Sequence, residues 1–255
     1  MKERINDNES FISRRILDDR RGSHKRFDHV VLGRYEEPGL AFIKTLEDLG
    51  MEVKHYPNHL AQKYFPETAE ELKQYDVVIL SDITSNTLLL DPDMMFNYKI
   101  HGNRLEAIKE YVNQGGGFVM IGGYMSFAGI ECCARYNMTP LRDVIPVKIM
   151  NYDDRMDTPE GVSPEIVNPN HPIMNGIHGP WPRYLGYNYV EEKPGTEVLV
   201  KIRDSVGLAC APYGKGRAVA TAFDALPHWA LPEVLEWECY NPLWKNIMEW
   251  AAGKI

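Results

Sequence analysis

The stretch GGGFVMIGGYMSFAG, residues 115–129, constrains the fold of this chain more than any other. Three glycines supply a turn, Phe118, Val119, Met120 and Ile121 form a short apolar run, and Gly122 and Gly123 follow at once. A short continuous apolar run between turn signals is the pattern of a strand buried on both faces of a parallel sheet, where no face meets water. Glycine tolerates positive φ, so the chain is free to turn sharply after Ile121. In open α/β sheets, ligands and reactive side chains gather beyond the carboxyl ends of the strands. Tyr124, Met125 and Ser126 therefore occupy the best address for a site, with a tyrosine where a nucleophile elbow would carry its nucleophile.

The flanking sequence alternates strands with helices. Strands are expected over 27–32, 51–56 and 76–80, and helices over 38–49, 68–74 and 104–113. Pro38 suits a first helical turn and Gly50 a stop, and Thr68 with Glu71 forms a capping-box pattern. Such alternation predicts an α/β fold: a flavodoxin-like, doubly wound, mostly parallel sheet with helices on both faces. Beyond Tyr124 the pattern changes. Residues 141–150 read as an edge strand containing Pro146, and 151–182 as a long ordered loop rich in Pro, Asp, Asn and Gly. A strand over 197–202, a hairpin around Gly214-Lys215-Gly216 and a closing helix over 243–250 give a hairpin-rich C-terminal extension of the sheet.

With 255 residues, 44% of them hydrophobic and 25% charged, the chain is long enough for one large domain over 27–255 behind a charged arm over 1–26. The arm carries Phe11, Ile12, Ile16 and Leu17 at helical spacing, which predicts an oligomer contact, hence a homo-oligomer. A net charge of −8 argues against nucleic-acid partners, and no apolar run approaches a membrane span or a signal peptide. The expectation is a cytoplasmic protein. Cys132, Cys133, Cys210 and Cys239 lack paired CxxC spacing, so no zinc site is expected. His55 and His59 are separated by the helix breaker Pro57, and no metal or cofactor motif is present.

Strand ends should bring Glu36, Asp82 and Gly123 together with Tyr124 and Ser126, and the segment from Asp224 to Trp229 is placed to join them. Tyr124 either presents its hydroxyl to a ligand or plugs the pocket. Ser126 is a nucleophile activated by His228, or the cap of a following helix. His228 is a base, or a core histidine beside Trp229; Asp224, four residues earlier, either orients it or caps a turn. Asp82 is a site group or a turn residue. Asp154 and Arg155 bind a polar ligand, or form an internal ion pair with Asp153. If Tyr124 opens a helix, Cys132 and Cys133 lie two turns along it, too far to act as nucleophile.

The order of elements, with GGGFVMIGGYMSFAG, TPLRDVIPV (139–147), DDR and PEGV (153–162), HPIMNGI (171–177), LGYN (185–188), YGKGRAVATAFDALPHW (213–229) and LWKNIMEWAAG (243–253), resembles the putative glutamine amidotransferase family of the class I glutamine amidotransferase-like superfamily. Amidotransferases of this class use a Gly-x-Cys-x-Gly elbow whose cysteine attacks glutamine, with a late His-x-Glu as base and orienting acid. The resemblance places Tyr124 at the cysteine, Ser126 at the last glycine and His228 at the histidine, with Ala230 where the glutamate stands. It implies a glutamine amidotransferase-like protein without the usual glutaminase chemistry. Two functions remain open: binding or hydrolysis of a small polar molecule at the strand-end pocket, or a non-catalytic protein that keeps the fold for assembly or partner binding.

Overall fold

The computed structural model describes residues 27–33 and 37–255, with side chains from Leu40 onward. The arm over 1–26, and with it the expected oligomer contact, lies outside the described residues, as does Glu36.

The first half of the chain runs β1 (Phe27–Gly33), α1 (Glu37–Asp48), β2 (Met51–Pro57), α2 (Asn58–Tyr64), α3 (Ala69–Leu72), β3 (Val77–Ser81), α4 (Ser85–Leu89), α5 (Pro92–Asn97), α6 (Arg104–Asn113) and β4 (Gly117–Ile121). The second half runs α7 (Leu141–Val144), β5 (Arg155–Val162), β6 (Glu165–Ile166), β7 (Tyr184–Asn188), β8 (Glu197–Ile202), β9 (Ser205–Tyr213), β10 (Gly216–Thr221), α8 (Glu233–Glu236) and α9 (Tyr240–Ala251). Eight strands form the main sheet in the order β2-β1-β3-β4-β10-β9-β8-β6. The first five are parallel, and β9, β8 and β6 continue the sheet antiparallel. The parallel part has the 2-1-3-4-5 order of doubly wound folds, which reverses direction between β1 and β3.

The run over 118–121 sits in the middle of this sheet, and all five residues of β4 are buried. Because side chains alternate along a strand, its two sets enter different cores. Val119 and Ile121 join Val77, Ile79 and Val219 under α1 and α9, where Phe42 meets Trp244 edge to face at 4.8 Å. Phe118 and Met120 join Val78, Leu80 and Ala220 under α6, against Leu105, Ile108 and Val112. The capping box of α3 is formed: Thr68 Oγ1 accepts from Glu71 N, and Glu71 Oε2 accepts from Thr68 N.

Three expectations are corrected. Residues 141–150 are not a strand: Pro140, at φ −56°, leads into α7, and only Lys148 bridges to Glu191 afterwards. The stretch over 151–182 is not loop throughout, since it holds β5, β6 and a 3₁₀ turn at Pro172–Met174. β5 pairs with β7 in a separate two-stranded sheet. Finally, no helix opens at Tyr124. The chain after β4 makes only two 3₁₀ turns, Ile130–Cys132 and Tyr136–Met138, before α7.

Candidate functional site

The segment after β4 is held in shape by four side chains from three other places. Asn188, at the end of β7 and wholly buried, clasps Gly123: its Oδ1 accepts from Gly123 N at 2.9 Å and its Nδ2 donates to Gly123 O at 3.2 Å. Asp82, just past β3, accepts from Met125 N at 2.6 Å. The Asp154 carboxylate accepts from Ala128 N, Gly129 N and Asn188 Nδ2, each at 2.9 Å. Asp153 accepts from Glu131 N at 2.9 Å. Within this clamp Phe127, Glu131, Cys132 and Arg135 are held in the left-handed region, with φ between 49° and 59°. Non-glycine residues persist there only where their surroundings fix them.

Gly122 and Gly123 serve a purpose different from the expected one. Neither has a positive φ. They permit close approach instead: a Cβ on Gly122 would lie 2.4 Å from Ala222 O, and one on Gly123 would lie 2.9 Å from Asp82 Oδ1. The tight seam lets the ends of β3, β4 and β10 meet.

On this platform Tyr124 stands half-buried. Its ring lies edge to face with His228 at 4.6 Å and with Trp229 at 5.1 Å, and the Arg155 guanidinium covers it at 4.9 Å. Trp229 is buried and donates from Nε1 to Asp157 Oδ1 at 3.2 Å. Arg155 is fixed by a two-point pair with Asp153, at 2.9 and 2.8 Å, which holds the Asp153 carboxyl well below the usual range. His228 Nδ1 lies 3.7 Å from Asp224 Oδ2. Asp224 is buried, and burial pushes its carboxyl upward, with the charge of Asp82 adding to the shift. Burial likewise raises Asp154, to about 6, against the pull of its three donors.

The fold thus brings together Tyr124, Arg155, His228, Trp229, Asp224 and Asp82. It puts Ser126 elsewhere. That side chain is wholly buried, donates to Ile121 O at 2.5 Å and accepts from Asp82 N at 3.2 Å. It caps no helix, because none follows, and its hydroxyl proton is already engaged. Asp154 and Gly123 belong to the clamp rather than the rim. Asp82 is both a turn residue, at φ 48°, and a neighbour of the site, while Asp224 both caps its turn through Leu226 N and faces His228. The Cys132 thiol is raised by burial and by Asp154, so its reactive thiolate is suppressed. Asn188 and Asp157 were missed by sequence reasoning. An asparagine closing the strand-like LGYN run was the one available signal, since strands disfavour asparagine.

Two clusters of described side chains have metal-like spacing: Glu67, Asp91 and His101, and His178, Glu238 and Cys239. In the first, the buried guanidinium of Arg104 already lies 3.1 Å from Glu67 and 3.0 Å from Asp91, supplying the charge a cation would bring.

A mostly parallel α/β sheet whose central strand ends in a clamped turn beside a late histidine defines a protein of the class I glutamine amidotransferase-like kind. Residues 18–253 match the family model described as "Putative glutamine amidotransferase", and the chain belongs to that family. Two solved structures are similar over most of their length, both of cytoplasmic proteins from Salmonella typhimurium. STM3548 is 35% identical, with a TM-score of 0.85 over 88% of this chain and 98% of its own. STM1381 is 34% identical, with a TM-score of 0.85 over 88% of this chain and 99% of its own. A putative GMP synthase component from Thermoplasma acidophilum shares the fold at 14% identity, with a TM-score of 0.52 over 90% of this chain and 96% of its own. The sequence matches no curated protein. No described helix is long and apolar enough to cross a membrane.

Proposed function

We propose that this protein binds a small polar molecule at the rim formed by Tyr124, Arg155 and His228, and hydrolyses it with His228 as base. The observation that carries this reading is the placement of His228 on the rim, its ring 4.6 Å from Tyr124 and its Nδ1 3.7 Å from the buried Asp224. A carboxylate facing Nδ1 favours the proton there and leaves Nε2 as the basic nitrogen, able to take a proton from water. Arg155 and the Tyr124 ring supply a planar cation and an aromatic wall for the ligand. The strained, clamped segment beneath them fits a site whose geometry is kept at a cost.

Hydrolysis through a covalent acyl-enzyme is not proposed. By the resemblance, Tyr124 and Ala230 stand where true class I amidotransferases carry their cysteine and glutamate, and Ser126 is engaged. In an elbow, the N–H after the tip residue stabilises the oxyanion. Here Met125 N donates to the Asp82 carboxylate at 2.6 Å, so that position holds a negative group already. These observations favour water as the direct nucleophile. They also favour a second reading, in which the pocket binds without turnover. We further propose that the chain from 27 to 255 works as one domain and acts in the cytoplasm, as the names of its two Salmonella relatives suggest.

The test is a thermal-shift survey of small polar metabolites on the full chain, followed by turnover of any stabilising compound. Replacement of His228 by Ala should leave binding measurable and abolish turnover. Turnover undiminished in that variant would refute the role of His228, and a ligand bound without turnover by the unaltered protein would establish the second reading.

A further inference from the structure

The second of the two metal-like clusters joins segments from distant parts of the chain. His178 follows the 3₁₀ turn at Pro172–Met174, while Glu238 and Cys239 stand at the start of α9, with His178 and Cys239 61 positions apart. Cys239 Sγ, an imidazole nitrogen of His178 and a carboxylate oxygen of Glu238 lie within 4.8 Å of one another. Bonds of about 2.0–2.3 Å to a tetrahedral Zn²⁺ put ligand atoms about 3.3–3.8 Å apart. The edge between His178 Nδ1 and Glu238 Oε1 already has that length, at 3.6 Å, and both side chains are exposed and able to rotate to close the others.

Protein contacts hold the two segments against each other. Trp181 packs on Trp237 at 4.8 Å, one ring from beside each. Asn246 of α9 donates to Ile173 O at 3.0 Å and to Asn175 O at 2.9 Å. Cys239 is the N-cap residue of α9, yet its side chain caps no N–H of the helix. The buried sulfur turns to the other segment instead: it accepts from His178 N at 3.5 Å and donates toward His178 O at 3.4 Å and Gly176 O at 3.7 Å. The N–H bond supports a thiolate, and a cation in place of the thiol proton meets the same carbonyl oxygens favourably. Charge agrees. No Lys or Arg occurs between Arg217 and Lys245, and Glu233, Glu236 and Glu238 lie just before α9. Arg104 neutralises the other cluster, whereas among the described residues Glu238 pairs with His178 alone.

We propose that Cys239, His178 and Glu238 form a zinc site with three protein ligands and a fourth position open to water. Thiolate and imidazole select Zn²⁺ over Mg²⁺ and Ca²⁺, which take oxygen ligands. The thiolate and carboxylate balance the charge of the ion. Binding forms the zinc–sulfur bond and releases the thiol proton to solvent.

Titration of the reduced, chelator-treated full chain tests this, with Zn²⁺ by calorimetry and with Co²⁺ by absorption. The expected result is one equivalent of zinc bound with proton release, and a thiolate-to-cobalt charge-transfer band that added zinc abolishes. His178→Ala and Glu238→Gln, at exposed positions where the fold tolerates change, should each weaken zinc binding at least about 10-fold, since even an outer-shell partner costs that much. Cys239→Ser should remove the cobalt band; if that variant fails to fold, the two exposed variants decide. Cys133→Ser, at an exposed thiol elsewhere, should change nothing. No zinc binding, cobalt bound without the band, or an affinity that the His178 and Glu238 variants leave unchanged would overturn the proposal.

Discussion

Asn188 is the residue through which the clamp is best tested. Replacing it with Ala removes three bonds at once: the acceptor for Gly123 N, the donor to Gly123 O and the donor to Asp154 Oδ1. All partners are buried, so water does not replace what is lost. A buried polar group left unpaired costs about 1–3 kcal/mol, and a bond to a charged group somewhat more. The sum is on the order of 4 kcal/mol, which for a chain of this size lowers Tm by about 8–16 °C. A second signature is pH. Burial raises Asp154 from 3.8 to about 6 in the folded chain, and the Asn188 bond opposes that rise. An acid whose folded pKa exceeds its unfolded value holds its proton more tightly when folded. Its contribution to stability is therefore full below about pH 4 and lost as pH rises to about 6, by about 3 kcal/mol. Without Asn188 the folded pKa climbs further, and the falling limb extends above 6. Urea unfolding of both proteins between about pH 5 and 8 measures this. A loss under about 1 kcal/mol, or a difference between the two proteins that stays flat with pH, would refute the reasoning.

Other perturbations separate structural roles from chemical ones. Ser126→Ala strands Ile121 O and Asp82 N and should cost about 2 kcal/mol in urea unfolding while sparing ligand binding; an undestabilised variant that lost turnover would show the serine to be chemical after all. Arg155→Gln releases the Asp153 carboxyl toward its ordinary range. Because that folded pKa is depressed, the pair stabilises above the unfolded value and the benefit is lost as pH falls. The partly exposed pair makes the expected loss about 1 kcal/mol at neutral pH, vanishing in acid; equal losses at both ends would contradict this. Alkylation followed by peptide mapping should label exposed Cys133 before Cys132, and both before buried Cys210 and Cys239. Early labelling of Cys210 would mean that the β9 core opens readily.

The class of fold could be read from local pattern. An apolar run framed by glycines, alternating with amphipathic segments that start at Pro38 and Thr68, leaves few arrangements other than a buried parallel sheet. These signals are short-range, because a strand buried on both faces and a capped helix are written within a few residues. Where local signals conflicted, the reading failed. Pro146 suggested an edge strand over 141–150, but Pro140 starts a helical turn there first. Glycines after Ile121 suggested positive φ and a strand-to-helix elbow, whereas the chain needed them bare so that Ala222 O and Asp82 could come close.

The sequence by itself determined which residues had chemistry to offer at the strand ends: Tyr124, Asp82, Asp224 and His228. Only the tertiary structure decided their employment. Asn188 lies 65 residues from Gly123, and Asp154 lies 25 from Gly129, and no periodicity links either pair. They meet because β7 runs beside the segment leaving β10, through Asn188 N to Ala222 O at 2.8 Å and Leu185 N to Trp229 O at 2.7 Å. That long-range pairing made Asp154 a support of the turn rather than a ligand group, while Ser126 became a support through Ile121 O and Asp82 N. It left Tyr124, Arg155 and His228 at the surface of a turn whose Gly123, Met125, Ala128 and Gly129 N–H groups are bound by its own side chains.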